Sequence, residues 1–342
     1  MAKAPNSVVG LDIGRSSLKA VLLQRSGAGR LSVTHFATQP AAPDLQSPVQ
    51  LASDIRGLLK TMGGSAKACA VAVSSPDSII RIIEQPETPT NLLRDALRLN
   101  GMALLNQDCR QFVLDCDQIT VSSPESLESG KQRYLVGGLP RTQVDAVQKA
   151  VGSALGNFTA LQLGPVSLFN AFESANPEVF ANSGFLLVDI GATSSTITLG
   201  ARRELVLVRT VDIGGNTILD ALEALSGEPR ASVMIALHQE DEMMIENGRV
   251  ALMNLSREIA SSIGFFEARR EEKIGRTYVS GGAAKSRALL KILTEEVHLP
   301  CEGWNPLAGC DISVAANQRA RLSDAAYDLH VAYGAAAELI NS

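Results

Sequence analysis

The sequence predicts an α/β protein made of two related halves, with a small α+β subdomain inserted into the first half. The stretch "VVGLDIGRSS" at residues 8–17 recurs as "LLVDIGATSS" at residues 186–195, and each copy opens a β-hairpin pattern. Residues 76–158 alternate strand and helix patterns and look different from the rest of that half. The shared hairpin-first plan indicates an internal duplication, and the differing stretch indicates an insert.

The composition fits a protein with substantial folded cores and no basic surface for nucleic acid. The chain has 342 residues, 45% hydrophobic and 20% charged, which is enough for two domains. Its net charge is −5, and no block of Lys and Arg gives the positive footprint that nucleic-acid binding needs. The start "MAKAPNSVVG" lacks a signal-peptide core and no apolar stretch has the length of a membrane span, so we expect a cytoplasmic protein.

The cysteines do not form a recognisable disulfide or metal pattern. They are odd in number and include no C-x-x-C motif. This spacing favours reduced thiols over a disulfide framework or a zinc site. The five are Cys69, Cys109, Cys116, Cys301 and Cys310.

The first half begins with a hairpin and continues with further strands and helices. Residues 8–13 and 18–23 are its two strands, and "LSVTHFA" is a third. Apolar residues at helical spacing predict a helix from Leu51, and "ACAVAVSS" follows as a buried strand. In the insert we predict strands at "SIIRIIEQP", "CRQFVLDC" and "RYLVGGL", helices near 90–105 and at "TQVDAVQKAVGSAL", and a solvated loop at "SSPESLESGKQ".

The second half repeats the opening of the first. A hairpin is predicted over residues 185–199, with a further strand in "ELVLVRTVDIGG". Apolar residues on one face predict a long helix over roughly 251–272. "RTYVSGGAAKSRALLKIL" predicts a strand, a Gly-Gly turn and a helix, and a helix rich in small residues is expected near 323–340.

The two Asp-Ile-Gly turns have the composition of a phosphate-binding site. Glycine in a tight turn lets backbone N–H groups approach a phosphate closely, and serine and threonine hydroxyls add donors. An aspartate at the end of the incoming strand can hold a hydrated Mg²⁺ that neutralises phosphate charge. One such turn is a weak signal, because Asp and Gly occur in many hairpins. Two copies, each opening one half, predict a cleft that holds its ligand from both sides.

A Gly-Gly pair in the second half adds a third candidate element. Gly281 and Gly282 follow a predicted strand and precede a predicted helix. Glycines in that position let the backbone lie against a flat base or a ribose. Taken alone, the segment is better explained as a simple strand-to-helix turn.

These segments resemble the motifs of the actin, hexokinase and Hsp70 nucleotide-binding superfamily. Residues 12–17 resemble its first phosphate motif, residues 189–193 the second, and residues 279–284 the adenosine motif. The third "DIGG", at 212–215, resembles the ribose-side turn, which implies that Gly215 and its neighbour lie near the sugar. The resemblance implies a two-lobed actin-like (ribonuclease H-like) ATPase fold with ATP and Mg²⁺ bound between the lobes.

Within that superfamily, the whole length is most similar to the PilM family of type IV pilus assembly. The supporting stretches include "DSIIRIIEQPETPTNLLRDAL", "LVRTVDIGGNTILDAL" and "HLPCEGWNPL", in the family's order and spacing. The resemblance implies a cytoplasmic scaffold, peripheral at the inner membrane, that binds the cytoplasmic tail of a PilN-like membrane protein. Contact with the pilus motor ATPases and self-association are further expectations, and any membrane association would run through the partners.

The same resemblance implies a division into lobes. The expected segments are lobe 1A at 1–75, an inserted 1C subdomain at 76–158, a lobe 1A helix at 159–183, lobe 2A at 184–225, lobe 2B at 226–275, the second part of lobe 2A at 276–320, and a C-terminal helix packing on lobe 1A at 321–342.

The candidate ligand contacts follow from the matched motifs. We expect Asp12 and Asp189 to hold the metal through water, and Lys19 on the outgoing strand to add positive charge. Arg15 either reaches a phosphate or is a solvated side chain. The phosphates would contact Gly14, Arg15, Ser16, Ser17, Gly191, Ala192 and Thr193, while Gly215, Gly281, Gly282 and Ala283 would border ribose and adenine.

Two departures from the superfamily pattern bear on activity. Relatives that hydrolyse ATP orient the attacking water with a Glu or Gln at the start of the helix after "ALQL". This chain has Gly164 at that position. The nearby Gln162, if it lies on a strand, points to the other face of the sheet. Phosphoryl transfer depends on positioning, so we expect slow or absent turnover and at most a weak ATPase. The helix near residue 231 has Ser232 and Ile235 where the family tends to carry a Glu and a Lys near the nucleotide.

Other functions of the superfamily make different demands on the sequence. A sugar or small-metabolite kinase would need a catalytic Asp in a substrate cleft, and no segment offers one convincingly. A filament-forming FtsA-like protein usually carries a basic amphipathic C-terminal helix, whereas "SDAAYDLHVAYGAAAELINS" is acidic and rich in alanine. Hsp70 itself would need a separate substrate-binding domain. A cytoplasmic component of type II secretion is a near relative and stays open.

Overall fold

A computed structural model describes residues 5–27, 29–41, 44–120, 130–156, 159–270 and 272–342. The strands, in chain order, are β1 (Ser7–Ile13), β2 (Ser17–Arg25), β3 (Leu31–Pro40), β4 (Ala68–Val73), β5 (Ile79–Pro86), β6 (Phe112–Ile119), β7 (Lys131–Pro140), β8 (Ala160–Leu163), β9 (Gly184–Ile190), β10 (Ser195–Ala201), β11 (Glu204–Val211), β12 (Thr277–Gly281), β13 (Cys301–Gly303) and β14 (Asp311–Ile312).

The α-helices, in chain order, are α1 (Pro48–Met62), α2 (Thr90–Leu105), α3 (Arg141–Leu155), α4 (Gly164–Ala175), α5 (Pro177–Asn182), α6 (Gly215–Ser226), α7 (Arg230–Gln239), α8 (Glu242–Arg270), α9 (Arg287–Val297), α10 (Arg319–Ala325) and α11 (His330–Asn341). Short 3₁₀ turns lie at Gly282–Lys285, Ala316–Gln318 and Ala326–Asp328. No described helix is both long and apolar enough to cross a membrane.

The chain divides into two compact units. The first comprises Met1–Asn176 and Pro306–Ser342, and the second comprises Pro177–Asn305. We expected residues 306–320 in the second half and 177–183 in the first. Residues 306–320 group with the first unit because β14 pairs with β3, and α5 groups with the second because it packs against β9 and β10.

The first unit is organised around a six-stranded sheet with the order β14-β3-β2-β1-β4-β8. The predicted opening hairpin is confirmed, since β1 and β2 pair antiparallel with Asp12 opposite Lys19. β4 pairs parallel with both β1 and β8, so Ile13, Val73 and Leu163 lie side by side at one edge of the sheet. The carboxyl ends of three parallel strands therefore meet at the first Asp-Ile-Gly turn.

The C-terminal helix packs beneath the strand that carries Asp12. α11 contacts β1, β2, β4 and α4. Its approach is very close: a Cβ on Gly10 would lie 1.9 Å from the Ala332 carbonyl oxygen, and a Cβ on Gly334 would lie 1.8 Å from the Ser167 carbonyl oxygen. Glycines on both sides of this contact let the backbones touch.

The second unit repeats the sheet of the first. Its strand order is β11-β10-β9-β12-β13, which matches β3-β2-β1-β4-β8 strand for strand. The second hairpin is confirmed by the antiparallel pairing of β9 with β10, and β12 is parallel to β9. This shared order confirms the internal duplication predicted from the two turns.

The segment between β4 and β8 builds a separate three-stranded sheet, ordered β5-β7-β6. Helix α2 packs against this sheet, and the hydrophobic core between them includes Leu93, Leu97, Tyr134 and Val136. The Tyr134 hydroxyl donates to the carbonyl oxygen of Thr88 and accepts from its N–H, at 2.9 and 2.8 Å. The solvated loop predicted at "SSPESLESGKQ" falls largely on residues 121–129, outside the described residues.

Two helices differ from their expected bounds. α8 begins at Glu242 instead of near residue 251, because the Asp241 carboxylate accepts a hydrogen bond from Met244 N at 3.0 Å and caps an earlier first turn. The expected C-terminal helix near 323–340 is divided by the 3₁₀ turn Ala326–Asp328 into α10 and α11.

Candidate functional site

The carboxylate of Asp12, at the end of β1, is nearly completely buried. Lys19 Nζ lies 3.0 Å from Asp12 Oδ2. Asp12 is 3% exposed, and its other oxygen, Oδ1, has no hydrogen-bond partner among the described residues. A buried carboxylate oxygen without a partner is costly, so this atom is a candidate to accept a hydrogen bond from a ligand or from metal-bound water.

The first turn has room only for glycine at position 14. A Cβ on Gly14 would lie 2.9 Å from the Ser17 carbonyl oxygen and 3.1 Å from Lys19 Nζ. Arg15 and Ser16 are exposed, and Ser17 is half-buried. The turn therefore exposes its backbone and the hydroxyls of Ser16 and Ser17. They lie beside Lys19, and a side chain at position 14 would come into tight contact with its ammonium group.

The second turn repeats this geometry. The N–H of Gly191 donates to the Ser194 carbonyl oxygen at 3.0 Å, and a Cβ on Gly191 would lie 3.0 Å from that same oxygen. In both turns the glycine thus lies against the carbonyl of the residue three positions later. Ala192 is half-buried, and the buried Thr193 Oγ1 has no hydrogen-bond partner among the described residues.

The aspartate of the second turn is held from the neighbouring strand. Ser280 Oγ donates a hydrogen bond to Asp189 Oδ1 at 2.7 Å. Gly281 has φ +82°, and a Cβ there would lie 2.3 Å from the Ile190 carbonyl oxygen, so glycine is required. Opposite Asp189 the register places Thr196, which is uncharged, where the first hairpin has a lysine. The two halves therefore differ in the charge that each turn carries.

The rest of the "SGGAA" segment forms the predicted turn between a strand and a helix. Gly282 is exposed, with no described heavy atom within 4 Å of the position of a Cβ, and Ala283 is half-buried. α9 then begins after Ser286, whose Oγ accepts a hydrogen bond from Leu289 N at 3.3 Å. An open glycine backbone beside the second turn suits contact with a flat ligand.

The third "DIGG" stretch, at residues 212–215, packs against the backbone of the second turn. The N–H groups of Gly215 and Asn216 donate to the carbonyl oxygens of Gly191 and Ala192, both at 2.8 Å. A Cβ on Gly214 would lie 2.5 Å from backbone atoms of the second turn. The sequence predicts that Gly215 lies beside a ribose, and that role stays a prediction; the structure shows that Gly215 fixes the backbone of the second turn.

The predicted ligand-binding residues form one group in each unit, and their binding roles stay predictions. The first unit brings together Asp12, Gly14, Arg15, Ser16, Ser17 and Lys19. The second unit brings together Asp189, Gly191, Ala192, Thr193, Gly215, Gly281, Gly282 and Ala283.

The position expected to orient water has no side chain. A Cβ on Gly164 would lie 2.2 Å from Ser74 Oγ, so the serine that follows β4 occupies that space. Gln162 is engaged elsewhere, because its Oε1 accepts from Ser167 Oγ at 2.7 Å and its Nε2 donates to the Glu338 carboxylate. Burial raises the pKa of Glu338. Sequence reasoning did not identify Ser74.

The start of α7 carries a cation that sequence reasoning also missed. Ile235 is 58% exposed and Ser232 is half-buried. Arg230 Nε donates to Glu223 Oε2 at 3.1 Å, and its Nη2 pairs with Asp220. Asp220 and Glu223 lie three residues apart on α6 and so share one face of the helix; this acidic pair is the sequence signal that could have predicted the position of Arg230.

The cysteines are free, as expected. Burial raises the pKa of the Cys69 thiol to about 12 and that of Cys301 to about 11, so both are protonated and poorly nucleophilic at neutral pH. Within the part of the chain that the structure describes, no group of three or more His, Cys, Asp or Glu side chains could hold a metal ion.

Comparison with known proteins places the chain among actin-like ATPase folds. The PilM-PilN type IV pilus biogenesis complex is 22% identical, with 97% of this chain and 98% of that chain covered and a TM-score of 0.80. The ethanolamine utilization protein EutJ from Carboxydothermus hydrogenoformans is 14% identical, covering 98% and 91%, with a TM-score of 0.57. The nucleotide-free diol dehydratase-reactivating factor is 9% identical, covering 98% and 100%, with a TM-score of 0.56. The chain therefore has the α/β actin-like ATPase fold.

The sequence itself identifies the family. A profile described as "Type IV pilus assembly protein PilM" matches residues 10–339, nearly the whole chain. The chain belongs to the PilM family of type IV pilus assembly proteins.

Proposed function

We propose that this protein is a cytoplasmic scaffold of a type IV pilus assembly platform, peripheral at the inner membrane, which binds Mg·ATP and the cytoplasmic tail of a PilN-like protein. The observation that carries the proposal is the family match over residues 10–339. The similar solved structure is a complex of PilM with PilN, which supports a partner of that kind. Contacts with motor ATPases and self-association belong to the same proposal as secondary expectations.

Nucleotide binding is supported by the chemistry of the two turns. Both present a glycine against a backbone carbonyl, with hydroxyl side chains beside it. Asp12 Oδ1, which has no hydrogen-bond partner among the residues that the structure describes, suits a water molecule on Mg²⁺, and Asp189 would be the second carboxylate. When bound, Mg²⁺ would neutralise part of the phosphate charge. Lys19 would supply a resident positive charge on the first turn.

Hydrolysis is expected to be slow, because Gly164 offers no group that could orient water. We predict that Gly164→Glu, after Ser74 turns to another rotamer, raises phosphate release from ATP at least tenfold, which is less than the roughly 100- to 10,000-fold that a well-positioned acid–base group contributes. Steady-state phosphate release measures this. Adding Asp12→Ala to the same variant should return the rate to background, which separates the protein's own turnover from a contaminating ATPase. An unchanged rate in Gly164→Glu would show that positioning of water is not what limits turnover.

The proposal is tested by thermal unfolding with each ligand. Mg·ATP at about 100 times its Kd should stabilise the protein by about 2.7 kcal/mol, and the same holds for a synthetic peptide of a PilN-like N-terminal tail. A scrambled peptide is the matched control. We expect the peptide to bind near the junction of the three-stranded insert sheet and the first sheet. If neither ATP nor the tail peptide raises the melting temperature, the proposed function is wrong.

A further inference from the structure

Three parallel strands of the first unit end in register, and the residues that follow form a row. Ile13 of β1, Val73 of β4 and Leu163 of β8 are direct neighbours in the sheet. The next residue of each strand is Gly14, Ser74 and Gly164, respectively. Ser74 is thus the one member of this row with a side chain, because glycines flank it on both sides.

The backbone of Ser74 is tied to the first turn. Its N–H donates to the Ile13 carbonyl oxygen at 3.3 Å, one residue before Gly14. On the other side, its Oγ lies 2.2 Å from where a Gly164 Cβ would be, so the hydroxyl fills the space that this glycine leaves. Ser74 is half-buried. The hydroxyl therefore has a defined place at the strand edge beside the proposed phosphate turn.

The other two serines of this loop use their hydroxyl groups to hold the loop together. Ser75 is 9% exposed, and its Oγ accepts from Asp77 N at 3.2 Å. Ser78 Oγ donates to the Ser75 carbonyl oxygen at 2.8 Å. The Ser74 hydroxyl makes no hydrogen bond to another described residue. The loop is held without it, so the hydroxyl is available to a ligand.

Open α/β sheets bind ligands at the carboxyl ends of their strands, and the glycines on both sides of Ser74 let a bulky anion approach. We propose that Ser74 Oγ donates a hydrogen bond to a phosphate oxygen of the bound nucleotide, as a binding residue additional to the two turns. The inference rests on the proposed nucleotide binding. It gives Ser74 a role that the corresponding residue of the second half, Gly282, cannot have, because that residue has no hydroxyl.

Isothermal titration with ATP, ADP and AMP in the presence of Mg²⁺ tests the inference. Ser74→Ala should weaken ATP binding about tenfold, the effect of losing one hydrogen bond to a charged group. Ser78→Ala makes the same chemical change in the same loop and should leave the affinity unchanged. The ADP and AMP titrations then locate the contact: a loss confined to ATP identifies the terminal phosphate, and a loss shared with ADP identifies an inner one.

The outcomes separate the inference from the proposed function. If the wild type binds none of the three nucleotides, nucleotide binding is refuted and the inference with it. If the wild type binds ATP and Ser74→Ala binds it equally tightly, only the inference is overturned. Ser74→Cys keeps nearly the same volume with a weak donor, and it should show the same direction of change, so a folding defect in the alanine variant does not block the test.

Discussion

Replacement of Asp12 by alanine is expected to abolish the increase in melting temperature that Mg·ATP gives the wild-type protein. Asp12 is 3% exposed, and its Oδ1 has no partner among the described residues, so the metal-bound water would lose its acceptor. The variant also leaves Lys19 without the carboxylate that lies 3.0 Å away, which lowers the stability of the ligand-free protein. Thermal unfolding with and without Mg·ATP measures both effects.

The matched controls separate loss of binding from loss of fold. Asp12→Asn/Lys19→Met removes both charges of this ion pair, so the ligand-free melting temperature should lie closer to that of the wild type than in Asp12→Ala. This double variant should still fail to respond to Mg·ATP. Asp145→Ala, at an exposed position of α3, should keep the full response. A normal response in Asp12→Ala would place the nucleotide elsewhere on the protein.

The duplicated frame could be predicted because its signals are local. In the copies at residues 12–14 and 189–191, an Asp-Ile-Gly turn lies between two apolar β-strand patterns, and each copy forms a hairpin that opens a sheet with the same strand order. The close fit of Gly14 and Gly191 against a carbonyl three residues later is equally local, since each turn contains both partners. The hairpins and the strand–turn–helix at Gly281 were therefore predictable.

The parts that could not be predicted depend on contacts between distant stretches of chain. Ser74 and Gly164 meet only because β4 and β8 pair in parallel, and neither flanking sequence indicates that register. The return of residues 306–320 to the first sheet depends on the two-residue strand β14, which is too short to have a periodic pattern. The engagement of Gln162 by Glu338 likewise needs the C-terminal helix in place.

Replacement of Gly334 by alanine is expected to destabilise the first unit strongly, although alanine is the better helix former. The added Cβ would lie 1.8 Å from the Ser167 carbonyl oxygen and 2.9 Å from Ala171 N, both backbone atoms of α4. The two helices must then separate, and overpacking of this kind costs about 3 kcal/mol, or a fall of roughly 6–12 °C in melting temperature. Because α11 also packs on β1, Mg·ATP affinity should fall as well.

Gly152→Ala is the matched control, because Gly152 lies in a helix of the same unit and no described heavy atom is within 4 Å of the position of its Cβ. There the substitution should act only through helix propensity and raise stability by about 0.5–1 kcal/mol. Denaturant unfolding measures both variants. We expect the free energy of unfolding to fall in Gly334→Ala and to rise in Gly152→Ala, although the chemical change is the same. If Gly334→Ala were as stable as Gly152→Ala, the close helix contact would not hold in solution, and the support that α11 gives to the Asp12 strand would have to come from other residues.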